Sequence, residues 1–270
     1  MRFCMLRSGS SGNCTFVEHG STKILLDAGG MSARGIVTLL AEINQHFNDI
    51  QALVVTHLHS DHLNHNSLRL CRDHGVPLYI HESNMPALRA IMKKHGLANV
   101  PVRPHSSSGF SVGEIEFSPF GVEHDAEELT CGFSFWGRSA PLARVAFATD
   151  LGCFPDSMVK QFADCECVVL ESNHDTVLLW NNPRRPYFHK QRVASDAGHL
   201  SNEQAAQALV KICAASCRPP RTIILSHLSE DHNSPNMAIA HVGTALRAAG
   251  FSPELHAASR KMKMEFIECG

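Results

Sequence analysis

Short apolar runs recur along the chain, and five of them end just before a residue that can bind a metal or move a proton. The runs are Lys23–Leu26, Ala52–Val55, Arg144–Ala148, Val168–Leu170 and Thr222–Leu225. Apolar runs of this length, bounded by small or polar residues, are typical of buried strands. The pattern therefore predicts strands whose ends carry functional groups, namely Asp27, His57, Asp150, Glu171 and His227.

Segments with helical spacing lie between these runs, and the alternation of the two patterns predicts α/β layers. The predicted helices are Ser67–His74, Asn84–His95, Asn202–Ala215 and Pro235–Ala249, three of which are followed or ended by Gly75, Gly96 and Gly250. Two stretches that contain proline and glycine, Val100–Gly113 and Asn181–Gly198, are predicted to be loops. Because nothing divides the 270 residues compositionally, we expect one domain spanning residues 1–270.

The composition is that of an ordinary globular protein, with 44% hydrophobic and 19% charged residues. No apolar run is long enough to cross a bilayer, and Met1–Ser10 lacks the apolar stretch of a signal peptide, so we expect a cytoplasmic protein without a membrane partner. The ten cysteines form no CxxC pair and are expected to be buried thiols, not disulfides or a zinc ribbon.

Charge leaves the partner open, because a net charge of −2 gives no general attraction to nucleic acid. One local exception is the second predicted loop, where basic residues alternate with aromatic ones. The residues are Arg184, Arg185, Tyr187, Phe188, Lys190 and Arg192. This segment is either a nucleic-acid contact or a solvated basic loop.

Candidate chemistry is concentrated between Thr56 and His62, directly after a predicted strand. The segment holds four side chains of ligand type, His57, His59, Asp61 and His62. Imidazole nitrogens and carboxylate oxygens suit Zn²⁺, Mn²⁺ or Fe²⁺, and a tight turn can aim alternate residues at two adjacent ions. The segment therefore predicts a metal site.

The HxHxDH pattern, followed by His124, Asp150 and His227 near predicted strand ends, resembles the metallo-β-lactamase superfamily. Asp27 in Leu-Leu-Asp-Ala-Gly matches the first motif of that superfamily. The resemblance implies an α/β fold, the metallo-β-lactamase four-layer αβ/βα sandwich. It also implies two divalent metal ions, for which we expect zinc or manganese, with iron as an alternative.

Ligand roles follow from the resemblance position by position. It implies that one metal is bound by His57, His59 and His124, the second by Asp61, His62 and His227, and both by Asp150. Asp27 is expected to fix the turn or a ligand histidine, not to bind metal itself. With an aspartate at the bridging position, the chain resembles the phosphodiesterases and thioester hydrolases of the superfamily. The antibiotic-hydrolysing members generally lack this aspartate.

Further segments narrow the resemblance to the ribonuclease Z and YycJ group. Glu171–Asp175 and Gly198–Ala206 resemble ribonuclease Z, which implies that Glu171 orients His199 and that the pair handles the leaving-group proton. Leu6–Asn13 and His227–Asn233 resemble YycJ-like proteins, described as metal-dependent exonucleases acting on double-stranded DNA. Asp61 joins His199 and Glu171 among the expected catalytic residues. Substrate contacts are expected from Ser10, Ser11 and Asn13, because a Gly/Ser loop can hold a phosphate.

The sequence thus predicts a dinuclear metal-dependent phosphodiesterase, a DNA exonuclease in which a metal-bound hydroxide attacks phosphorus. Its partner would be nucleic acid or a small phosphodiester. Three alternatives stay open: a small-molecule or cyclic phosphodiesterase, a thioester hydrolase resembling glyoxalase II, and a metal-dependent binding protein without activity. The compact chain and near-neutral charge favour the first of these.

Overall fold

The predicted strands are apolar on both faces because both faces are covered. The computed structural model describes residues 1–126 and 128–270, and in it Ala52–Val54, Val145–Ala148, Cys167–Glu171 and Thr222–Ser226 are strands with every residue buried. Strands that pair in parallel inside α/β layers carry such continuous apolar runs. Each of these four predicted strands is therefore confirmed, with shifts of one or two residues at the ends.

Two mixed sheets, each of seven strands in the described part of the chain, form the centre of the structure. The strands of the first sheet, in chain order, are β1 Arg2–Arg7, β2 Cys14–His19, β3 Thr22–Ala28, β4 Ala52–Val54, β5 Leu78–His81, β6 Val102–His105 and β14 Ile267–Glu268. Those of the second are β7 Phe110–Val112, β8 Ile115–Val122, β9 Thr130–Gly137, β10 Val145–Ala148, β11 Cys167–Glu171, β12 Thr222–Ser226 and β13 Glu254–Ala257. The helices are α1 Ala33–Ala41, α2 His65–His74, α3 Met85–Lys94, α4 Val159–Phe162, α5 Thr176–Asn181, α6 Tyr187–Val193, α7 Asn202–Ala215 and α8 Pro235–Ala248.

Spatial order is β14-β1-β2-β3-β4-β5-β6 in one sheet and β13-β12-β11-β10-β9-β8-β7 in the other. Strands β3 to β6 pair in parallel, as do β10 to β13, whereas the remaining neighbours are antiparallel. The carboxyl ends of parallel strands meet at one edge of a sheet, and ligand sites form in the crevice there. This topology gathers the predicted strand-end residues.

Three apolar layers hold the two sheets and their helices together. The central layer joins side chains of both sheets, including Phe3 and Ile24 from the first and Phe133 and Val169 from the second. One outer layer packs α1, α2 and α3 against the first sheet, and the other packs α4, α7 and α8 against the second. This order of helix, sheet, sheet and helix confirms the four-layer αβ/βα sandwich.

Several local predictions are wrong. The predicted loop Val100–Gly113 contains β6 and β7, and the predicted loop Asn181–Gly198 contains α6. Strand β6 is an edge strand with Pro104 in it, and proline is tolerated only at such an edge, so its strand signal was masked. Asp27 lies within β3 instead of beyond its end.

None of the helices in the described residues combines the length and the hydropathy that a membrane-spanning segment requires. The ten cysteines are free thiols, as predicted. Eight of them are buried, whereas Cys217 is exposed and Cys153 is partly exposed, which corrects the expectation of burial at these two positions.

Candidate active site

The Thr56–His62 turn is fixed by backbone contacts to the neighbouring β3 turn and to the loop after β1. The amide of Ala28 donates to the carbonyl of His62 at 3.0 Å, and that of Asn13 donates to the carbonyl of Asp61 at 2.8 Å. Gly29 allows this close approach, because a Cβ there would lie 2.3 Å from the backbone of Asp61 and of His62. The turn geometry is therefore built by three chain segments together.

Asp27 lies beneath this turn and holds it by its side chain. It is 1% exposed and accepts hydrogen bonds from the Thr56 amide at 2.9 Å and the Thr56 hydroxyl at 3.0 Å. It also bonds His62 Nδ1 at 2.8 Å, so His62 turns its Nε2 towards the site. Asp27 was expected to fix the turn or orient a histidine, and these contacts place it where it can do both. Thr56 takes part as well, because its Oγ1 also lies 3.0 Å from His57 Nδ1.

The predicted ligand residues converge into small clusters of donor atoms that could hold a metal ion. In each cluster the nitrogen and oxygen atoms lie within 4.8 Å of one another. The clusters among the described residues are His57, His59 and His124; Asp61, His62 and His227; His57, His62 and Asp150; and Asp150, Glu171, His199 and His227. The first two are the two ligand sets that the resemblance implies.

Asp150 lies between the two ligand sets. Its Oδ2 is 2.9 Å from His62 Nε2, and its Oδ1 is 3.5 Å from His227 Nε2 and 3.8 Å from His124 Nε2. Asp150 Oδ2, His57 Nε2 and His227 Nε2 are buried polar atoms that have no well-oriented hydrogen-bond partner among residues 1–126 and 128–270. Unpaired buried polar atoms are costly, and a shared cation would satisfy all three. The donor set of imidazoles and carboxylates suits a divalent metal.

Glu171 is fully buried and links two histidines. Its Oε1 accepts from His199 Nδ1 at 2.8 Å and from His227 Nδ1 at 2.7 Å. Its Oε2 accepts from the amides of Leu151 and Leu200 at 3.1 and 3.2 Å. The pairing with His199 was expected, whereas the pairing with His227 is new. Because both oxygens are occupied, Glu171 orients rings and has no free oxygen for another partner.

Charge in the site favours cations. Burial by itself lowers the pKa of His62, but Asp150 and Asp27 raise it well above its ordinary value. Burial also opposes protonation of His227, yet Asp150, Asp61 and Glu171 raise its pKa to about 10. The surplus of buried carboxylate therefore favours positive charge here, as a metal site requires.

The remaining rings differ according to their neighbours. Burial, with His62 next to it, lowers the pKa of His57 well below its ordinary value, so this ring is a neutral donor. Burial also acts to lower the pKa of His199, but Glu171 outweighs it and raises the pKa above its ordinary value. Burial would raise the pKa of Glu171, whereas His199 and His227 lower it to about 2, so the carboxylate stays ionised.

Three residues of the candidate site have a strained backbone. Asp27, Asp150 and His227 have φ values of 56°, 58° and 53°, in the left-handed region that non-glycine residues rarely adopt. Such residues cost of order 1–3 kcal/mol each and persist where the surrounding structure fixes them, commonly at functional sites. His227 is held partly by Ser8, whose hydroxyl accepts from its amide at 2.8 Å. Sequence analysis did not foresee this strain.

A cleft of about 360 Å³ opens beside His199. Ser10 and Ser11 line it, as expected for substrate contacts, and so do Arg185 and Arg192. Asn13 is 7% exposed, and its Nδ2 is 3.0 Å from His62 Nε2. Asn13 is therefore placed to orient the turn more than to touch a substrate.

Some cleft residues escaped the sequence analysis. Asn173, Ser229 and His232 line the cleft, and Asn173 Nδ2 donates to the carbonyl of His227 at 2.8 Å. Asp125 forms an ion pair with Arg192 at the rim. The only signal available was position: Asn173, Ser229 and Asp125 follow directly on strand-end motifs, in Glu-Ser-Asn, His-Leu-Ser and Val-Glu-His-Asp. His232 lies five positions after His227 and carried no such signal.

Comparison with known proteins agrees with this geometry. The family model described as "Beta-lactamase superfamily domain" matches residues 22–228. Exodeoxyribonuclease YycJ of Bacillus anthracis is 33% identical, over 99% of this chain and 99% of the relative. Exodeoxyribonuclease WalJ of Streptococcus pneumoniae is also 33% identical, over 88% and 85%. The crystal structure of the metallo-β-lactamase fold protein YhfI from Bacillus subtilis matches with a TM-score of 0.71 at 14% identity, over 97% of this chain and 98% of that one.

Proposed function

Because the chain belongs to the beta-lactamase superfamily, in the family of the YycJ and WalJ exodeoxyribonucleases, we propose that it is a dinuclear metal-dependent DNA exonuclease. The family membership confirms the predicted resemblance and the prediction of a metal-dependent hydrolase. The observation that carries the proposal is the joint position of two clusters of donor atoms, the Glu171–His199 pair and a cleft lined by arginines.

The proposed ligands are the two clusters and Asp150 between them. One ion would be held by His57, His59 and His124, the other by Asp61, His62 and His227, and Asp150 would serve both. The buried Nε2 atoms of His57 and His227, which have no hydrogen-bond partner among the described residues, and the position of Asp150 beside both clusters support this assignment. Divalent metals bound here would activate water as the nucleophile and neutralise charge on the phosphate oxygens.

Around the ligands, buried groups keep the rings in position. Asp27 fixes His62 through Nδ1, and Glu171 fixes His227 through Nδ1, so that each ring offers Nε2 to a metal. Asn13 bonds the same turn from the opposite side. Metal affinity should therefore depend on Asp27 and Glu171 although neither has a ligand role.

His199 is the proposed proton donor. Its Nδ1 is bonded to Glu171, which stabilises the protonated ring and leaves Nε2 free towards the cleft. A departing alkoxide needs a proton, and a positioned acid contributes about 10²–10⁴-fold to the rate. Asp61, whose Oδ2 is 3.7 Å from His227 Nε2, stays ionised because His227 and His62 lower its pKa against the effect of burial. Asp61 therefore acts as a charged ligand within the reacting centre.

Ser10 and Ser11 supply the substrate side. They line the same cleft as Arg192, where their hydroxyl and amide donors can bind phosphate oxygens.

End-labelled duplex DNA tests the proposal directly. The metal-defined protein, loaded with Mn²⁺ or Zn²⁺, should release mononucleotides, and chelation should stop the release. If no nucleotide is released with either metal, the exonuclease proposal fails. The control is His256→Ala, a histidine on β13 that pairs with Glu254 and lies outside the donor clusters.

A small-molecule phosphodiesterase is the second candidate function. The volume of the cleft favours it, because about 360 Å³ lies in the range of sites that bind one small ligand. Turnover of cyclic nucleotides or bis-p-nitrophenyl phosphate without any cleavage of DNA would favour this function over the exonuclease.

A further inference from the structure

Helices α5 and α6 present a group of exposed apolar side chains beside the cleft. This α5–α6 face consists of Val177, Leu178, Trp180, Tyr187 and Phe188, with Tyr187 67% and Phe188 72% exposed. No residue of α6 is buried in the described chain. A helix of a soluble protein normally covers an apolar stripe, and contiguous exposed apolar groups mark interaction sites. The face therefore indicates a partner.

Charge indicates what kind of partner this is. Residues 176–195 contain four cations, Arg184, Arg185, Lys190 and Arg192, and no aspartate or glutamate. Since the chain has a net charge of −2, everything outside this segment carries −6. A locally basic face on an acidic protein fits a polyanion. Two copies meeting through this face would instead bring cations against cations.

Two of these cations are already paired, Arg185 with Asp231 and Arg192 with Asp125. All four side chains of these pairs are partly or largely exposed, and exposed ion pairs contribute little. A phosphate can therefore replace either carboxylate. Arg184 is exposed on the same segment.

Two aromatic rings meet where the two helices adjoin. The ring centroids of Trp180 and Tyr187 are 5.7 Å apart, and Lys190 Nζ donates to the carbonyl of Trp180 at 2.8 Å. Nucleobases stack on such rings without regard to sequence, while neighbouring cations hold the phosphates. A surface of alternating aromatic and basic side chains is typical of proteins that bind single-stranded nucleic acid.

The face is joined to the catalytic cleft through α6 itself. His189 and Arg192, three positions apart on α6, line the cleft together with Arg185, which lies just before the helix, whereas Tyr187 and Phe188 are largely exposed to solvent. Beyond α6, the amide of His199 donates to the carbonyl of Val193 at 2.9 Å. The helix therefore connects the exposed rings to the proposed proton donor.

We propose that the α5–α6 face binds the single-stranded end of a nucleic acid and leads it into the cleft. Trp180, Tyr187 and Phe188 stack bases, and Arg184 and Lys190 hold phosphates. The inference rests on the proposed exonuclease function and deepens it. A cleft of about 360 Å³ has the volume of a site for one small ligand, so an unpaired strand end fits into it better than a paired duplex.

Binding of a phosphorothioate oligothymidylate of about 12 nucleotides, followed by fluorescence anisotropy on metal-loaded protein, tests the face without turnover. The double variant Tyr187→Ser/Phe188→Ser should bind about tenfold or more weakly. The variant Arg184→Gln/Lys190→Gln should reduce the salt dependence of binding by about one to two in slope. Leu142→Ser, which removes a side chain that is 66% exposed on another surface, is the matched control and should change neither quantity.

Turnover separates this inference from the proposed function. The ratio of kcat/KM for a single-stranded oligonucleotide to kcat/KM for bis-p-nitrophenyl phosphate should fall about tenfold in the Tyr187→Ser/Phe188→Ser variant. If the unmodified protein binds the oligonucleotide through this face but cleaves no DNA, the exonuclease proposal fails and the face is supported. If it cleaves DNA while the double variant binds and cleaves equally well, the face is overturned. Conversion of a dimer to a monomer by the double variant, with unchanged oligonucleotide affinity, would show a contact between copies and also overturn it.

Discussion

His199 offers the sharpest test of the proposed chemistry, because it lies beside the ligand clusters without being needed in the two that hold the proposed metals. Its nearest carboxylate is Glu171 at 2.8 Å, and Asp150 is 3.8 Å away. The variant His199→Ala removes the ring and leaves the other histidines and carboxylates of both clusters intact. We therefore expect full metal content together with a loss of proton donation.

The magnitude depends on the leaving group. A positioned acid contributes about 10²–10⁴-fold, so cleavage of an oligonucleotide, which releases an alkoxide, should slow by that factor. Hydrolysis of bis-p-nitrophenyl phosphate should slow much less, because p-nitrophenolate leaves without needing a proton. Glu171→Gln should give the same selectivity, weaker in size, and should shift the pH profile, because Glu171 stabilises the protonated His199 ring. Unlike His199→Ala, it should also lower the metal affinity, because Glu171 bonds His227 as well.

The assay compares kcat/KM for both substrates with the metal content of each protein by elemental analysis. His256→Ala serves as the control, because its ring bonds only Glu254 at the edge of the second sheet. Equal losses on both substrates would refute the proton-donor role of His199. Loss of a metal would instead identify His199 as a ligand or a structural residue.

Three further predictions concern metal binding and stability. Asp150→Ala should lower the affinity for both metals, since it removes the group between the clusters, and one metal per chain in fully active unmodified protein would contradict this. Gly29→Ala should release metal, because its Cβ would lie 2.3 Å from the backbone of His62, whereas Gly35→Ala on α1 should keep the metal content. Burial lowers the pKa of His105 to about 4, below the ordinary 6.5. As pH falls, this ring is therefore protonated in the unfolded chain before it is protonated in the folded one, and stability is lost. The free energy of unfolding should drop by about 1 kcal/mol from this ring between pH 7 and 5, and an equal drop in His105→Phe, measured by denaturant titration, would contradict it.

Sequence patterns predicted the elements that local signals define. Helix α7 spans Asn202–Ala215 as predicted, since Ser201 and Gln204 form a capping box and an apolar stripe follows. By contrast, α6 was predicted as a loop because it has no buried stripe and lies between Pro186 and Gly198. Periodicity depends on burial, so a helix without buried residues carries no such signal.

For the candidate site, the sequence by itself determined which residues are the candidates for the chemistry, because HxHxDH and the strand-end acids are local patterns. Only the tertiary structure decided how they are held. Glu171 joins His199 and His227 although 28 and 56 positions separate it from them, and Asp27 reaches His62 across 35. The left-handed backbone of Asp150 likewise depends on packing that no local pattern encodes. Contacts at such separations form only when the two sheets and their turns come together, so their physical basis lies in packing and not in propensity.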